Sequence, residues 1–344
     1  MLKELEIDCY ENFYRVDSVN CIDQPIAGAL GYFNYYNYFY YCFYLSVLNN
    51  WDVLKTDMEY NFVNYRNIII EKMGLLLKDI YVENPSDFVP LVKEKIDKGE
   101  PILLVPKRCA LVYNSSYGDV NDKNYHGTLI TGYKKGAPML ILRDVAHIES
   151  SEVKNAGTGY GLFKLFLKED IVHEMWEESN NIYREEKSYD LLNKIFYITK
   201  VGEPEISSFE SLVTDFVNSY SSCPNILATQ IMNLSETYEE FGYIDFVEYF
   251  RKSFYNNITV IFDVLERAFR AMNFKEEDLK SFFEFRDKFV KYRYILVSKL
   301  YAEFLRKNKL SNDMKLKIVS EVNSMDNELF TLIKNLLEKS IFTT

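Results

Sequence analysis

Three residues in the first half of the chain have side chains that perform nucleophilic chemistry together in many proteins: Cys21, His126 and Asp144. His126 begins the apolar segment HGTLITGY, and the next apolar segment, PMLILRD, ends at Asp144. Residues 134–137 between them, Lys-Lys-Gly-Ala, predict a turn, so the two segments are expected to pair as a β-hairpin. Because the start of one strand then lies beside the end of the other, we expect Asp144 to orient the imidazole of His126.

The expected nucleophile is Cys21, which lies in SVNCIDQPIAGAL before a long uncharged run. If a helix begins near Cys21, Pro25 falls in its first turn, where the missing N–H of proline costs little. A thiol at a helix N-terminus meets the positive end of the helix dipole and free backbone N–H groups. These lower the pKa of a thiol and can bind an oxyanion, and His126 would act as the base.

The other four cysteines include one alternative nucleophile. Cys9 also precedes a polar and aromatic stretch, but no clear helix start follows it, so Cys21 is favoured while Cys9 stays open. Cys42 and Cys109 are expected to be small buried hydrophobes, and Cys223 lies in the second half of the chain. An odd, scattered set without a CxxC pair predicts reduced thiols and a cytoplasmic location.

The remaining histidines, His147 and His173, are expected at the surface or around the site. A zinc site made from Cys109 and the three histidines lacks the usual ligand spacing, so no metal is expected.

The chain has 344 residues, 48% of them hydrophobic, which is enough for two globular domains. Its formal net charge of −11 disfavours nucleic acid and anionic membranes as partners. The N-terminal MLKELEIDCYENF lacks the pattern of a signal peptide. Residues 26–50 carry no charge, but their many Tyr and Asn predict a buried helix and not a membrane span.

The patterns predict an α+β fold, with an α+β domain over 1–203 and an α-helical domain over 204–344. The segments predicted as strands are 101–106, 126–133, 138–144, 160–167 and 195–201. The segments predicted as helices are 24–48, 51–80, Ser86–Lys98 with Ser86 as its cap, and most of 207–344, whose final helix follows a cap at Ser311-Asn312-Asp313.

The order of Cys21, then His126 in a strand, then Asp144 at the end of the next strand resembles the papain-like superfamily. The cysteine before the core helix and HxxxxxGY in the sheet are similar to the C39-type peptidases. Asn20-Cys21, HGTLITGY, LILRD and the appended helical domain are similar to an acyltransferase branch in natural-product pathways, exemplified by the butirosin acyltransferase. The resemblance implies a papain-like N-terminal domain, with a central helix on an antiparallel sheet, followed by an all-α domain.

The resemblance also implies an activity, with Cys21, His126 and Asp144 as its catalytic residues. The expected reaction is amide-forming acyl transfer from a thioester on an acyl or peptidyl carrier protein to a small-molecule amine, a diamine among the candidates. No cofactor is expected beyond the phosphopantetheine of the carrier. Two alternatives stay open, namely hydrolysis as a cysteine peptidase or carrier-protein thioesterase, and an inert binding subunit. A homodimer through the helical domain also stays open.

The oxyanion-binding residue departs from the family pattern. Such enzymes often have Gln six residues before the nucleophile, and this chain has Arg15 there. Asn20, Ser18 or Gln24 could replace it, as could the backbone N–H of Cys21 alone.

Overall fold

The structure is a computed structural model that describes residues 1–7, 21–48, 62–144, 163–222, 260–307 and 311–341. These residues form two compact units. The first holds the described residues up to Tyr41 and those from 62 to Glu205. The second holds the described residues of 42–48 and those from Ile206 onward. The α+β class predicted from the sequence is confirmed for the described residues.

One antiparallel sheet organises the first unit. Its strands are β1 (Leu2–Glu4), β2 (Leu75–Tyr81), β3 (Ile102–Leu104), β4 (Thr128–Lys134), β5 (Met139–Asp144), β6 (Phe163–Lys168) and β7 (Lys194–Lys200). They lie in the order β2-β7-β3-β4-β5-β6, and β1 pairs with the second half of β4. Every residue of β4 from Thr128 to Tyr133 is buried, so this strand is covered on both faces.

Among the described residues, five α-helices begin in the first unit, and two of them replace the single helix predicted over 24–48. The five are α1 (Asp23–Phe33), α2 (Tyr35–Leu48), α3 (Phe62–Ile70), α4 (Phe88–Asp97) and α5 (Glu169–Glu186). The prediction of one helix was wrong because Asn34 is extended, with φ −161° and ψ 133°. Its side-chain oxygen accepts the N–H of Tyr36 at 3.0 Å, which caps the start of α2.

The helix predicted over 51–80 is also wrong in its last part, and residues 51–61 lie outside the described part of the chain. After α3 the backbone turns at Gly74, whose φ of 68° favours glycine, and continues as β2 paired with β7. A Cβ on Gly74 would lie 2.5 Å from the carbonyl oxygen of Gly202, so the turn also requires a residue without a side chain. The strands β1 and β2 were both absent from the prediction.

The predicted cap of α4 is wrong as well. Ser86 lies inside a short 3-10 turn, Pro85–Asp87, and α4 begins at Phe88 without a side-chain cap. Pro85 starts this turn because its fixed φ suits the first position of a helical turn.

All described elements that lie wholly in the second unit are helices, α6 (Phe209–Ser222), α7 (260–271), α8 (Lys280–Lys307) and α9 (Asn312–Ile341). Apolar residues at helical spacing in 258–269 and 282–300 form one face each in the sequence, and these faces are buried where the structure describes them. The buried members are Ile261, Phe262, Leu265, Phe269, Phe282, Phe285 and Phe289. The last helix starts at Asn312, directly after Ser311, whose hydroxyl donates to Glu303 at 3.1 Å. No helix in the described part of the chain is long and apolar enough to cross a bilayer.

Candidate active site

The predicted hairpin is present and brings His126 and Asp144 together. The strands β4 and β5 pair antiparallel, and His126 Nε2 lies 2.6 Å from Asp144 Oδ1. Both residues are fully buried. One detail of the prediction was wrong. His126 lies just before β4, which begins at Thr128. The backbone N–H of His126 donates to the carbonyl oxygen of Pro106 at 2.9 Å.

A buried lysine, Lys107, holds the segment that contains His126 in place. Lys107 forms an isolated β-bridge with Tyr125, and its ammonium lies 3.8 Å from the centre of the Tyr125 ring. The same ammonium donates to the carbonyl of Lys123 at 2.7 Å and pairs with Glu186 at 2.6 Å. Burial of an ammonium is costly unless it has such partners, so Lys107 keeps these contacts. They hold the backbone on the N-terminal side of His126 in place.

The thiol of Cys21 lies beside this segment. Cys21 is partly exposed and lies in the turn directly before α1, which begins at Asp23. Its sulfur is 3.6 Å from the carbonyl oxygen of Tyr125, the residue before His126. The thiol therefore lies near the start of a helix, as the sequence predicts, and against the backbone that positions His126.

Gly127 permits the close approach between these two segments. A Cβ at this position would lie 2.8 Å from Ile22 Cα and 2.9 Å from the carbonyl oxygen of Cys21. Side chains essentially never make such short contacts, so only glycine fits between His126 and β4 without movement of the Cys21 turn.

The electrostatics of the site favour a protonated imidazole. Burial lowers the pKa of His126, but the charge of Asp144, its hydrogen bond and an interaction with Cys21 together raise it to about 10. Since Nε2 is bonded to Asp144, Nδ1 is the ring nitrogen that can exchange a proton with the thiol of Cys21. The imidazole of His126 is therefore protonated at neutral pH.

A tyrosine contacts the other oxygen of Asp144. The hydroxyl of Tyr113 donates to Asp144 Oδ2 and lies 3.5 Å from the hydroxyl of Thr128. Burial first, and then the charge of Asp144, raise the pKa of Tyr113 well above its usual value. Tyr113 is therefore a permanent donor to this carboxylate.

The candidates for oxyanion binding are only partly described. Asn20, Ser18 and Arg15 lie outside the described residues. Gln24 is buried in the first turn of α1, directly after the turn that contains Cys21.

The other cysteines and histidines have the following places. Cys42 and Cys109 are buried as expected, and burial raises the pKa of the Cys109 thiol. His173 lies on α5, with Nε2 2.9 Å from the carbonyl oxygen of Pro85. The residues outside the described part of the chain are Cys9, Cys223 and His147. Within the described part, no group of three or more His, Cys, Asp or Glu is placed to hold a metal ion.

A second buried aspartate near Cys21 was not predicted from the sequence. Asp23 accepts from the hydroxyl of Tyr41 and from Arg66 Nε, both at 2.7 Å. The side chain of Arg66 also covers the ring of Phe62 at 4.1 Å. An Asp in the first turn of a helix is a common signal, but nothing local in the sequence indicates that its partner is Arg66.

No family model matches the chain, and no curated protein matches it. The class of the site is therefore defined by its own geometry, in which a partly exposed thiol lies against the backbone next to a buried imidazole, and this imidazole is bonded to a buried carboxylate.

Proposed function

We propose that the chain is a papain-like cysteine acyltransferase that moves an acyl group from a carrier-protein thioester to an amine in a natural-product pathway. The observation that carries the proposal is that the sulfur of Cys21 lies 3.6 Å from the carbonyl oxygen of Tyr125, directly before His126, and that the His126 ring is bonded to the buried carboxylate of Asp144. The thioester donor and the amine acceptor are taken from the resemblance to the acyltransferase branch.

In the first half-reaction, the thiolate of Cys21 attacks the carbonyl carbon of the thioester. The tetrahedral intermediate collapses with cleavage of the bond to the phosphopantetheine sulfur, which takes the proton of the His126 imidazolium. The products are acyl-Cys21, neutral His126 and the free thiol of the carrier. Exchange of one thioester for another is close to isoenergetic, so this step is reversible.

In the second half-reaction, the amine attacks the acyl-Cys21 carbonyl and His126 takes the proton that the nitrogen loses. Collapse of this intermediate forms the amide and restores the Cys21 thiolate beside the His126 imidazolium. Asp144 keeps Nε2 of the ring occupied, so Nδ1 is the nitrogen that gives and takes the proton in both halves. Formation of the more stable amide drives the sequence forward.

Two features of the site support acyl chemistry at Cys21. The thiol lies directly before α1, and the positive end of the helix dipole favours the oxyanion of either intermediate. His126 and Asp144 are inaccessible to solvent while Cys21 is partly exposed, so an acyl donor can reach the sulfur without hydrating the ion pair behind it.

The proposal is tested with a small thioester, the benzoyl thioester of N-acetylcysteamine, and ethylenediamine as acceptor. Intact-mass measurement is expected to show one benzoyl group on the wild-type chain, and addition of the amine is expected to release benzoyl amide. Cys21→Ala is expected to lose both signals, by about 10³-fold or more.

The matched control is Cys9→Ala, because Cys9 is the alternative nucleophile. It should retain both signals. If Cys21→Ala keeps acyl transfer and Cys9→Ala loses it, the assignment of the nucleophile is wrong. If benzoic acid is the product even at saturating amine, the chain is a hydrolase with the same three residues.

A separate measurement addresses the inert alternative. Iodoacetamide at pH 6 is expected to alkylate Cys21 and to leave the buried Cys109 unmodified, since a thiolate is needed for reaction. Equal, slow labelling of both cysteines would support a binding subunit without catalysis.

A further inference from the structure

The carboxylate of Asp144 accepts a second hydrogen bond, from a residue on a different segment of the chain. Tyr113 lies in the connection between β3 and β4, and its hydroxyl donates to Asp144 Oδ2 while His126 occupies Oδ1. We infer that Tyr113 is a positioning residue of the proposed acyltransferase site, which acts through Asp144 to fix the orientation of the His126 ring.

The Tyr113 hydroxyl matters because Asp144 has few possible hydrogen-bond donors. Asp144 is fully buried, so water cannot replace a lost partner. Thr128 is also near, but its hydroxyl is directed to the carbonyl oxygen of Arg143, at 3.4 Å. The phenol has one proton, and Asp144 lies closer to it than Thr128 does, so this proton goes to the carboxylate.

The titratable and charged groups around Asp144 are few in the described residues. His126 faces it from the segment before β4, and Tyr113 faces it from the β3–β4 connection. On β6, the residue paired with Asp144 is Phe163, which does not titrate. The neighbouring Arg143 is directed to Glu4 of β1, at 3.4 Å. Removal of the Tyr113 hydroxyl therefore changes the surroundings of one carboxylate oxygen and little else.

The expected consequence is a change in how the His126–Cys21 pair responds to pH. Without the hydroxyl, the carboxylate of Asp144 can rotate about its last bond, so Oδ1 is no longer held in line with Nε2 of His126. The imidazolium is then stabilised less well, so the thiolate of Cys21 forms at higher pH. The inference rests on the proposed function, but this effect can be measured without any acyl transfer.

The test compares Tyr113→Phe with Tyr133→Phe. Tyr133 donates to Asp97 at 2.9 Å, so the second variant removes a tyrosine–aspartate bond of the same kind that does not involve Asp144. The pH dependence of Cys21 alkylation by iodoacetamide is measured for both. We expect the acid limb to move up by about one pH unit in Tyr113→Phe alone, with alkylation at pH 6 reduced about tenfold.

The proton of the His126–Asp144 hydrogen bond provides a second readout. Its far-downfield proton resonance, assigned by its loss in Asp144→Asn, is expected to shift and to exchange faster with solvent in Tyr113→Phe. It should be unchanged in Tyr133→Phe. If both readouts are the same in the two tyrosine variants and the wild type, the inference is overturned.

A gain of donor strength tests the same inference without deleting a group. Site-specific 3-fluorotyrosine at position 113 keeps the shape and makes the phenol a stronger donor. Because the pKa of Tyr113 is raised so far, this phenol stays protonated and still holds the carboxylate, so the acid limb is expected to stay much closer to that of the wild type than in Tyr113→Phe. An acid limb displaced as far as in Tyr113→Phe would contradict the inference. If acyl transfer is absent in the wild type but these shifts occur, the proposed function fails and the positioning role stands.

Discussion

Two buried aspartates in the first unit each have a tyrosine hydroxyl and a basic side chain as partners, and the basic side chain differs between them. Asp144 accepts from the hydroxyl of Tyr113 and pairs with His126, a group that titrates. Asp23 accepts from the hydroxyl of Tyr41 and pairs with Arg66, a group that does not titrate in proteins. We call these the Asp144 site (Asp144, Tyr113, His126) and the Asp23 site (Asp23, Tyr41, Arg66).

The basic residue of each site, Arg66 or His126, determines what the site can do. A permanent guanidinium can fix the start of α1, which Asp23 opens, against α2 and α3, but it cannot move a proton. The imidazole of the Asp144 site can do so, and Cys21 lies against the backbone directly before it. Under the proposed function, the Asp23 site therefore holds the start of α1 beside Cys21, and the Asp144 site exchanges the proton of the Cys21 thiol.

The largest expected effect comes from removing the titratable cation. His126→Gln should reduce acyl transfer and alkylation of Cys21 at pH 6 by about 10³-fold or more, because no group then takes the thiol proton. Arg66→Gln should change the activity of each folded molecule by at most about tenfold. Initial rates, corrected for the folded fraction by circular dichroism, measure both. Equal losses in the two variants would remove the distinction between the sites.

The next effect concerns stability at the Asp23 site. Arg66→Met leaves the buried charge of Asp23 without its cation, which should lower the free energy of unfolding by about 3–5 kcal/mol in urea titrations. The double variant Asp23→Asn with Arg66→Met should recover most of this loss, since no buried charge remains. A double variant as unstable as the single one would show that packing, and not charge, sets the cost.

The pH dependence of stability separates the two sites further. The pKa of His126 is raised from 6.5 to about 10 on folding, so the folded state binds its proton more tightly than the unfolded state. This contribution is fully present below pH 6.5 and is lost as pH rises through 10, a loss on the order of 5 kcal/mol. Urea titrations at pH 7 to 10 should show this slope in the wild type.

Two variants provide the comparison for that slope. His126→Gln should lack it. Arg66→Met should keep it, because Arg66 stays protonated over the whole range. A slope that persists in His126→Gln would assign the titration to another group.

The smallest effect tests the contact that joins the two sites. Gly127→Ala places a Cβ against Ile22 and Cys21, which should lower the free energy of unfolding by about 1–3 kcal/mol and slow the alkylation of Cys21. Gly202→Ala is the control, since nothing lies within 4 Å of a Cβ there. Equal effects of the two changes would mean that the close approach at Gly127 has no special cost.

Some errors of the sequence-based prediction have a clear physical cause. Asn34 ends α1 and caps the start of α2, which breaks the helix predicted over 24–48. The apolar and aromatic residues on both sides of Asn34 give no local signal for this cap. The segment LLLKDIY lies at the end of the helix predicted over 51–80, but its first four positions alternate between buried and less buried, as in a strand. Strand β1 is too short to give a pattern, and only its pairing with β4 defines it.

The sequence by itself determined the α+β class, the buried apolar faces of the helices and the His126–Asp144 pair. Those features depend on local periodicity and on a hairpin, in which the contacts are fixed by a short turn. The tertiary structure alone decided that Tyr113 contacts Asp144, that Arg66 contacts Asp23 and that Gly127 lies against the Cys21 turn. These contacts join segments far apart in the chain, and no local pattern encodes them, because they follow from how the sheet and helices pack.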